Sequence, residues 1–245
     1  MQDPEAPERQ AHAVTDLASR QPKALKIERI LGLQPTPQPL QMLEVGCGSG
    51  GIAHYFGTHP HLRCEVEAVD VYDNRQVFDG YHYTAVQGVH LPFEAARFDV
   101  AITNHVIEHV GEEAAQIRHL EEIHRVLKPG GQAYLAVPNR WMLVEPHYRL
   151  AFLSWWPRAW RSPYLRLMRK GSFYDCEPLQ LRQLERMLNQ VEFQFENKSV
   201  QAWRETFEIE RSNAAVTRWL RAIPDAPLNT LRRIIPTLIY RLAKP

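Results

Sequence analysis

Apolar and polar positions alternate in two rhythms along this chain, one helical and one of period two. Residues 23–33, KALKIERILGL, carry apolar side chains at helical spacing, and the proline-rich QPTPQP after them is a stop and linker. QMLEVG (41–46) predicts a short buried strand and GIAHYFGTH (51–59) a helix. CEVEAVDV (64–71) predicts a second strand, in which Cys64, Val66 and Ala68 alternate with acids. HYTAVQ (82–87) and FDVAIT (98–103) continue as strands. EEAAQIRHLEEIHRVL (112–127) predicts a helix with Ile117, Leu120, Ile123, His124 and Leu127 on one face. LKPGG stops that helix, and GQAYLAV (131–137) is the next strand.

Strands alternating with helices imply a parallel sheet covered on both faces. Ligands of such sheets sit beyond the carboxyl ends of the strands, where the strand order reverses. After Asn139 the rhythm breaks, and residues 140–171 form an aromatic and basic segment. Periodicity returns as a helix in EPLQLRQLERML (177–188), a strand in VEFQFENKSV (191–200), a helix in AAVTRWLRAI (214–223) and a final strand in TLIYRLAK (237–244).

Length and charge narrow the picture only slightly. The 245 residues fit one generous domain with an elaborated insertion. The 29 basic and 28 acidic residues nearly cancel, so no global charge draws the chain to nucleic acid. Cys47, Cys64 and Cys176 are odd in number and widely spaced, giving neither a disulfide framework nor a zinc knuckle. No metal site is expected. A reducing cytoplasm is the natural setting. The polar first ten residues read as a loose arm rather than a signal peptide, and no apolar run approaches the roughly 18 to 20 residues that span a bilayer.

Chemistry concentrates first in LEVGCGSGG, residues 43–51. Read through Gly46, Gly48 and Gly51 it is the dinucleotide pattern GxGxxG; read through Gly46, Gly48 and Gly50 it is GxGxG. Bare backbone lets a ligand approach, and the following helix N-terminus favours an anionic group. Asp70 ends the second predicted strand, 20 residues after Gly50, where a carboxylate can accept both hydroxyls of a ribose. A ribose-bearing ligand is therefore expected, either a nicotinamide cofactor or S-adenosylmethionine.

Further motifs follow in order: Glu44 two residues before Gly46, LPFEAARFDVAITNHVIEHV (91–110) and EEIHRVLKPGGQAYLAVPN (121–139). Over about residues 40–140 this set resembles the class I S-adenosylmethionine-dependent methyltransferases, in particular the type 11 subgroup similar to quinone-biosynthesis methyltransferases. The resemblance implies a Rossmann-like, doubly wound α/β fold with seven strands, mostly parallel, and an antiparallel last strand supplied by TLIYRLAK. Residues 1–39 would be an arm and helix, and 40–245 the methyltransferase domain, with a helical cap inserted at 140–175.

The same resemblance implies that Glu44, Gly46, Cys47, Gly48 and Gly50 shape the methionine end of the cofactor site, that Asp70 holds the ribose, and that Val71 packs on the adenine. Where relatives carry an acid toward the adenine amine, this chain has Gln87 followed by Gly88, which accepts a hydrogen bond without adding charge. Asn104 ends the fourth predicted strand, where the transferable methyl would lie. The expected reaction moves that methyl onto a hydroxyl or carboxyl oxygen of a small, lipid-linked or glycosyl molecule, leaving S-adenosylhomocysteine. His105, His109 and His147 are the candidate bases. The rivals are a nicotinamide-dependent oxidoreductase and a non-catalytic protein that keeps the cofactor fold.

The 140–171 segment carries seven aromatic residues, with Arg140, Arg149, Arg158, Arg161, Arg166, Arg169 and Lys170 against the single acid Glu145. It reads as a lid over the acceptor, with Glu145, His147, Tyr148, Trp141 and Trp155 as substrate contacts. Aromatic and basic residues together also suit a peripheral membrane surface. An ordinary cap would instead pack its tryptophans onto the sheet. Trp156, Trp160, Tyr164 and Leu167 share one helical stripe, and Pro157 and Pro163 suit the first turns of two short helices.

Overall fold

The computed structural model describes residues 16–145, 148–174, 176–210, 217–218 and 222–245. The first fifteen residues, His147 and most of the helix expected at 214–223 therefore lie outside the described residues. The strands are β1 (Leu40–Val45), β2 (Cys64–Asp70), β3 (His82–Ala85), β4 (Phe98–Asn104), β5 (Leu127–Pro138), β6 (Val144–Glu145), β7 (Leu150–Ala151), β8 (Gln194–Asn197) and β9 (Thr237–Ala243). Seven of them form one sheet in the order β3-β2-β1-β4-β5-β9-β8. From β3 to β5 every pairing is parallel, whereas β9 runs antiparallel between β5 and β8. The strand order reverses between β1 and β4, and that is where a ligand crevice belongs.

Among the described residues the helices packed on the sheet are α1 (Arg20–Leu31), α2 (Gly51–Gly57), α3 (Glu113–Val126), α5 (Leu181–Gln190) and α6 (Ser199–Glu210), while α4 (Arg158–Leu167) belongs to the cap and a short helix covers Asp225–Thr230. One face of the sheet packs Leu120 and Ile123 of α3 and Leu184, Met187 and Leu188 of α5 against Leu43, Ala101 and Leu135. The other packs Ala24, Ile27 and Leu31 of α1, Ile52 and Phe56 of α2 and Ala202 of α6 against Met42, Ile102 and Tyr134. Burying apolar surface on both faces explains why these strands read as nearly continuous apolar runs.

Four expectations need correction. The α1 helix is no separate arm, because Ala24, Ile27, Ile30 and Leu31 are all buried and Arg29 pairs with Glu205 of α6. The buried stripe of α3 runs through Gln116, His119, Leu120, Ile123 and Val126, and Leu127 already belongs to β5. LKPGG is a bulged start to that strand: Leu127 pairs with Phe98, then Gln132 with Val100. Finally, VEFQFENKSV yields only four strand residues before α6 begins. The Asn197 Oδ1 atom accepts the Ser199 amide at 3.1 Å, so the side chain that ends the strand also starts the helix.

The cap between Asn139 and Leu179 is pinned shut at its base. Arg140 N donates to Leu179 O, and Leu179 N to Pro138 O. Inside it, Tyr148, Leu150, Leu153, Leu165, Tyr174 and Cys176 form a small core of their own. Pro157 caps α4 as expected, but Pro163 sits inside that helix rather than starting another. Pro163 and Ala159 are both exposed, so water can satisfy the one carbonyl the proline leaves unpaired.

Candidate active site

The glycine turn joins β1 to α2 at the switch point. Gly46, Gly48 and Gly50 have φ of +75°, +51° and +78°, a backbone that L side chains rarely adopt, whereas Gly51 is the first residue of α2. The conformational demand therefore falls on GxGxG, not on GxGxxG. A Cβ at Gly46 would stand 2.3 Å from Val106 Cγ2, so the turn after β1 and the turn after β4 approach backbone to side chain.

Two carboxylates frame this turn. Asp70, at the end of β2, accepts the Gly48 amide at 2.8 Å and the Val71 amide at 2.7 Å, one on each oxygen. Glu44 is buried and accepts the Ala53 amide at 2.8 Å. Burial pushes the Glu44 carboxyl up to about 8, against the opposing pull of the Ala53 amide and the Arg20 cation. Between the two acids, Cys47 is buried, which pushes its thiol well above the usual range. The Ser49 hydroxyl is buried without a hydrogen-bond partner among the described residues. Val71, Gln87 and Gly88 lie exposed along the β2 and β3 end of the crevice.

Beyond β4 the chain makes a strained turn. His105 has φ of +61°, and its amide donates to Ala136 O at 2.9 Å. Its ring Nδ1 lies 3.2 Å from Oε1 of Glu108, which is fully buried. Burial alone would raise the Glu108 carboxyl, but the His105 hydrogen bond and the nearby His109 hold it below the ordinary value. His105 is thus only partly exposed and is anchored to a buried carboxylate. His109 reaches toward the cap instead, its Nδ1 lying 3.9 Å from Cys176 Sγ.

The cap residues fall into two sets. Glu145 is buried and accepts the Tyr148 amide at 2.8 Å, and the Tyr148 hydroxyl donates to Phe173 O. Both hold the cap's own shape. Trp141 and Trp155 meet edge to face at 5.4 Å and remain partly exposed, with Trp155 Nε1 donating to Met142 O. Sequence reasoning missed Asn139: its Nδ2 donates to Arg233 O and Ile235 O, and its Oδ1 accepts the Trp141 amide. It also missed Lys23, Lys26 and Trp203, which with Asn104 and His105 line a cavity between α1 and α6. An Asn directly after a buried strand was the available signal for the first. Nothing in local pattern brings residues near 23 and 203 together.

A bare-backbone cradle at the switch point, an acid at the end of β2 and an unpartnered buried hydroxyl between them fit an adenosine-bearing sulfonium cofactor. Among the described residues no cluster of His, Cys, Asp and Glu is arranged to hold a metal ion, and no helix is long and apolar enough to cross a membrane.

Comparison with known proteins agrees. A family described as "Methyltransferase domain" matches residues 16–198. The tRNA (carboxymethyluridine(34)-5-O)-methyltransferase of Schizosaccharomyces pombe is 27% identical over 57% of this chain and 58% of its own length. The malonyl-[acyl-carrier protein] O-methyltransferase of Pseudescherichia vulneris is 30% identical over 45% of this chain and 43% of its own. The chain thus spans about half the length of each. Phosphoethanolamine N-methyltransferase 2 of Haemonchus contortus, solved with S-adenosyl-L-methionine, shares the fold with a TM-score of 0.53 at 18% identity, covering 91% of this chain and 52% of that one. The chain belongs to the Methyltransferase domain family and has the class I, Rossmann-like methyltransferase fold.

Proposed function

We propose that this methyltransferase transfers its methyl group to an oxygen of a small organic acceptor, which enters beside Asn104 at the end of β4. The observation that carries this reading is the cavity lined by Asn104 and His105, directly beyond the turn where Gly46 meets Val106. Glu44, Gly46, Cys47, Gly48 and Gly50 would hold the methionine end of the cofactor, Asp70 its ribose, and Val71, Gln87 and Gly88 its adenine. When bound, the cofactor supplies an electrophilic methyl, and the chain's task is to align the acceptor and exclude water. Oxygen is favoured because two relatives are named as O-methyltransferases of carboxyl-bearing acceptors. For a hydroxyl acceptor, His105 has the supported geometry of a base, its ring held by the buried Glu108.

The cap's outer face supports delivery of that acceptor from an anionic membrane surface. Trp156, Trp160 and Leu167 are 45%, 61% and 77% exposed, so they do not pack onto the sheet. A second reading, a tRNA acceptor, is favoured by the name of the Schizosaccharomyces pombe relative. Labelled methyl from S-adenosylmethionine, offered to separated lipid, small-molecule and tRNA fractions, decides between them. Label in the small-molecule or lipid fraction is the expected result, and label in tRNA alone would replace the first reading by the second. Tight S-adenosylhomocysteine binding without transfer to any fraction would point to a non-catalytic protein.

A further inference from the structure

A cavity of about 130 Å³ opens between α1, α6 and the ends of β4 and β9, next to Asn104 and His105. Lys23 and Lys26 enter it from the same face of α1, three residues apart. Trp203 and Thr206 face them from α6, and Thr237 from β9. No described side chain lining the cavity is acidic. Lys26 Nζ donates to Thr206 Oγ1 at 3.2 Å, which satisfies one donor, and the acid whose field reaches it, Glu210, is not part of the cavity lining.

Two ammonium groups held in a half-buried cavity with no acid in its lining cost free energy that an incoming anion would recover. Burial, reinforced by Arg20 and Lys26, brings Lys23 down to about 8, with Glu210 and Asp16 opposing from outside the lining. Burial likewise lowers Lys26. Arg20, one turn earlier, lies over Gly51 at the start of α2 and exerts its field on Glu44. The one helix thus divides its cations, Arg20 toward the glycine turn and the two lysines toward the space beyond Asn104.

We propose that Lys23 and Lys26 form an anion site for the methyl acceptor, taking a small carboxylate- or phosphate-bearing group into the cavity beside Asn104. This rests on the reading that the acceptor enters beyond β4. An acceptor carboxylate is already ionised at neutral pH, so for that class the transfer requires placement and no general base.

The test uses the full chain saturated with S-adenosylhomocysteine and titrated with malonate and with inorganic phosphate by calorimetry. Wild-type protein is expected to bind at least one of these probes, and Lys23→Gln and Lys26→Gln each to weaken it by about tenfold or more. Lys23→Arg should restore most of the binding. Because bound anion favours the charged lysine, binding at pH 8 to 8.5 should take up protons, read by repeating the titration in buffers of different ionisation enthalpy. S-adenosylhomocysteine affinity, measured on each variant, should stay within about twofold of wild type and also reports that the variant is folded. The proposal is overturned if wild type binds neither anion, if the double Gln variant binds them equally well, or if cofactor affinity falls in step with anion affinity. The last outcome would give the lysines to the cofactor's own carboxylate. Failure of wild type to bind S-adenosylhomocysteine would instead sink the cofactor reading itself.

Discussion

Asp70 accepts the Gly48 amide at 2.8 Å, so the last residue of β2 clamps the glycine turn that follows β1. The clamp uses one carboxylate oxygen, and the Val71 amide takes the other. The Tyr72 amide also approaches that second oxygen at 3.4 Å, whereas the oxygen bound to Gly48 keeps a lone pair for a ribose hydroxyl. Asp70→Ala removes the clamp and the ribose acceptors together while leaving both hydrophobic layers intact. Cofactor affinity should fall by about ten- to a hundredfold, on the scale of losing one or two charged hydrogen bonds. Circular dichroism should report an unchanged fold. Equal affinity in calorimetry would remove Asp70 from the ribose role.

Glu44 links the site to pH. Its folded value of about 8 lies above that of an unfolded glutamate, so between roughly pH 5 and 8 the folded state binds more protons than the unfolded one. Stability of the cofactor-free protein should then fall as pH rises through that window, by at most about 1.4 kcal/mol per pH unit. A cationic cofactor favours the ionised carboxylate, so its binding should release protons near pH 7 and tighten as pH rises. Thermal melts from pH 5 to 9, with calorimetry in two buffers, measure both effects. Glu44→Gln should flatten both, and a pH dependence surviving in that variant would assign it to another group.

The approach of Gly46 to Val106 makes a sharper claim about the turn. Ala at position 46 meets an unfavourable φ of +75° and a side chain 2.3 Å away. The backbone term costs about 1–2 kcal/mol and the crowding about 1–3 more. Gly46→Ala should therefore lower Tm by several degrees and abolish cofactor binding. Adding Val106→Ala should return the crowding part and leave the backbone part. No recovery at all in the double variant would mean that the contact is not where the strain resides.

The regular sheet was legible because its strands are buried on both faces, so their apolar runs stand out between glycine and proline stops. Asp70, Glu44 and the glycines lie within 27 residues of one another, and a local motif carries them. What escaped detection depends on contacts distant in sequence. Helix α6 begins two residues after the strand that Asn197 ends, and the strand pattern ran through its start. Lys26 meets Thr206 across 180 positions, and no periodicity reports such a meeting. Tyr148 packs with Leu153 and Leu165 in the cap's own core and Glu145 accepts its amide there, contacts that no periodicity in this irregular stretch reports.

That division of the cap yields the last prediction. Arg161 and Leu165 form the buried side of α4, whereas Trp156, Trp160 and Leu167 stand outside, near the exposed Arg166 and Arg169. Exchanging the outer three for Ser removes only the Trp156–Tyr164 ring contact at the edge of the cap, so stability should change by about 1 kcal/mol or less per site. Leu165→Ala, by contrast, opens a cavity in the small cap core and should cost about 2–5 kcal/mol. If the outer face meets an anionic bilayer, wild-type protein should sediment with vesicles containing phosphatidylglycerol, and the triple Ser variant should not. Arg166 and Arg169 strengthen binding by about 1 kcal/mol each near such a surface, so raised salt should weaken it. A triple variant that melts early places these tryptophans in the fold after all. A stable one that still sediments equally well would leave the face without a membrane role.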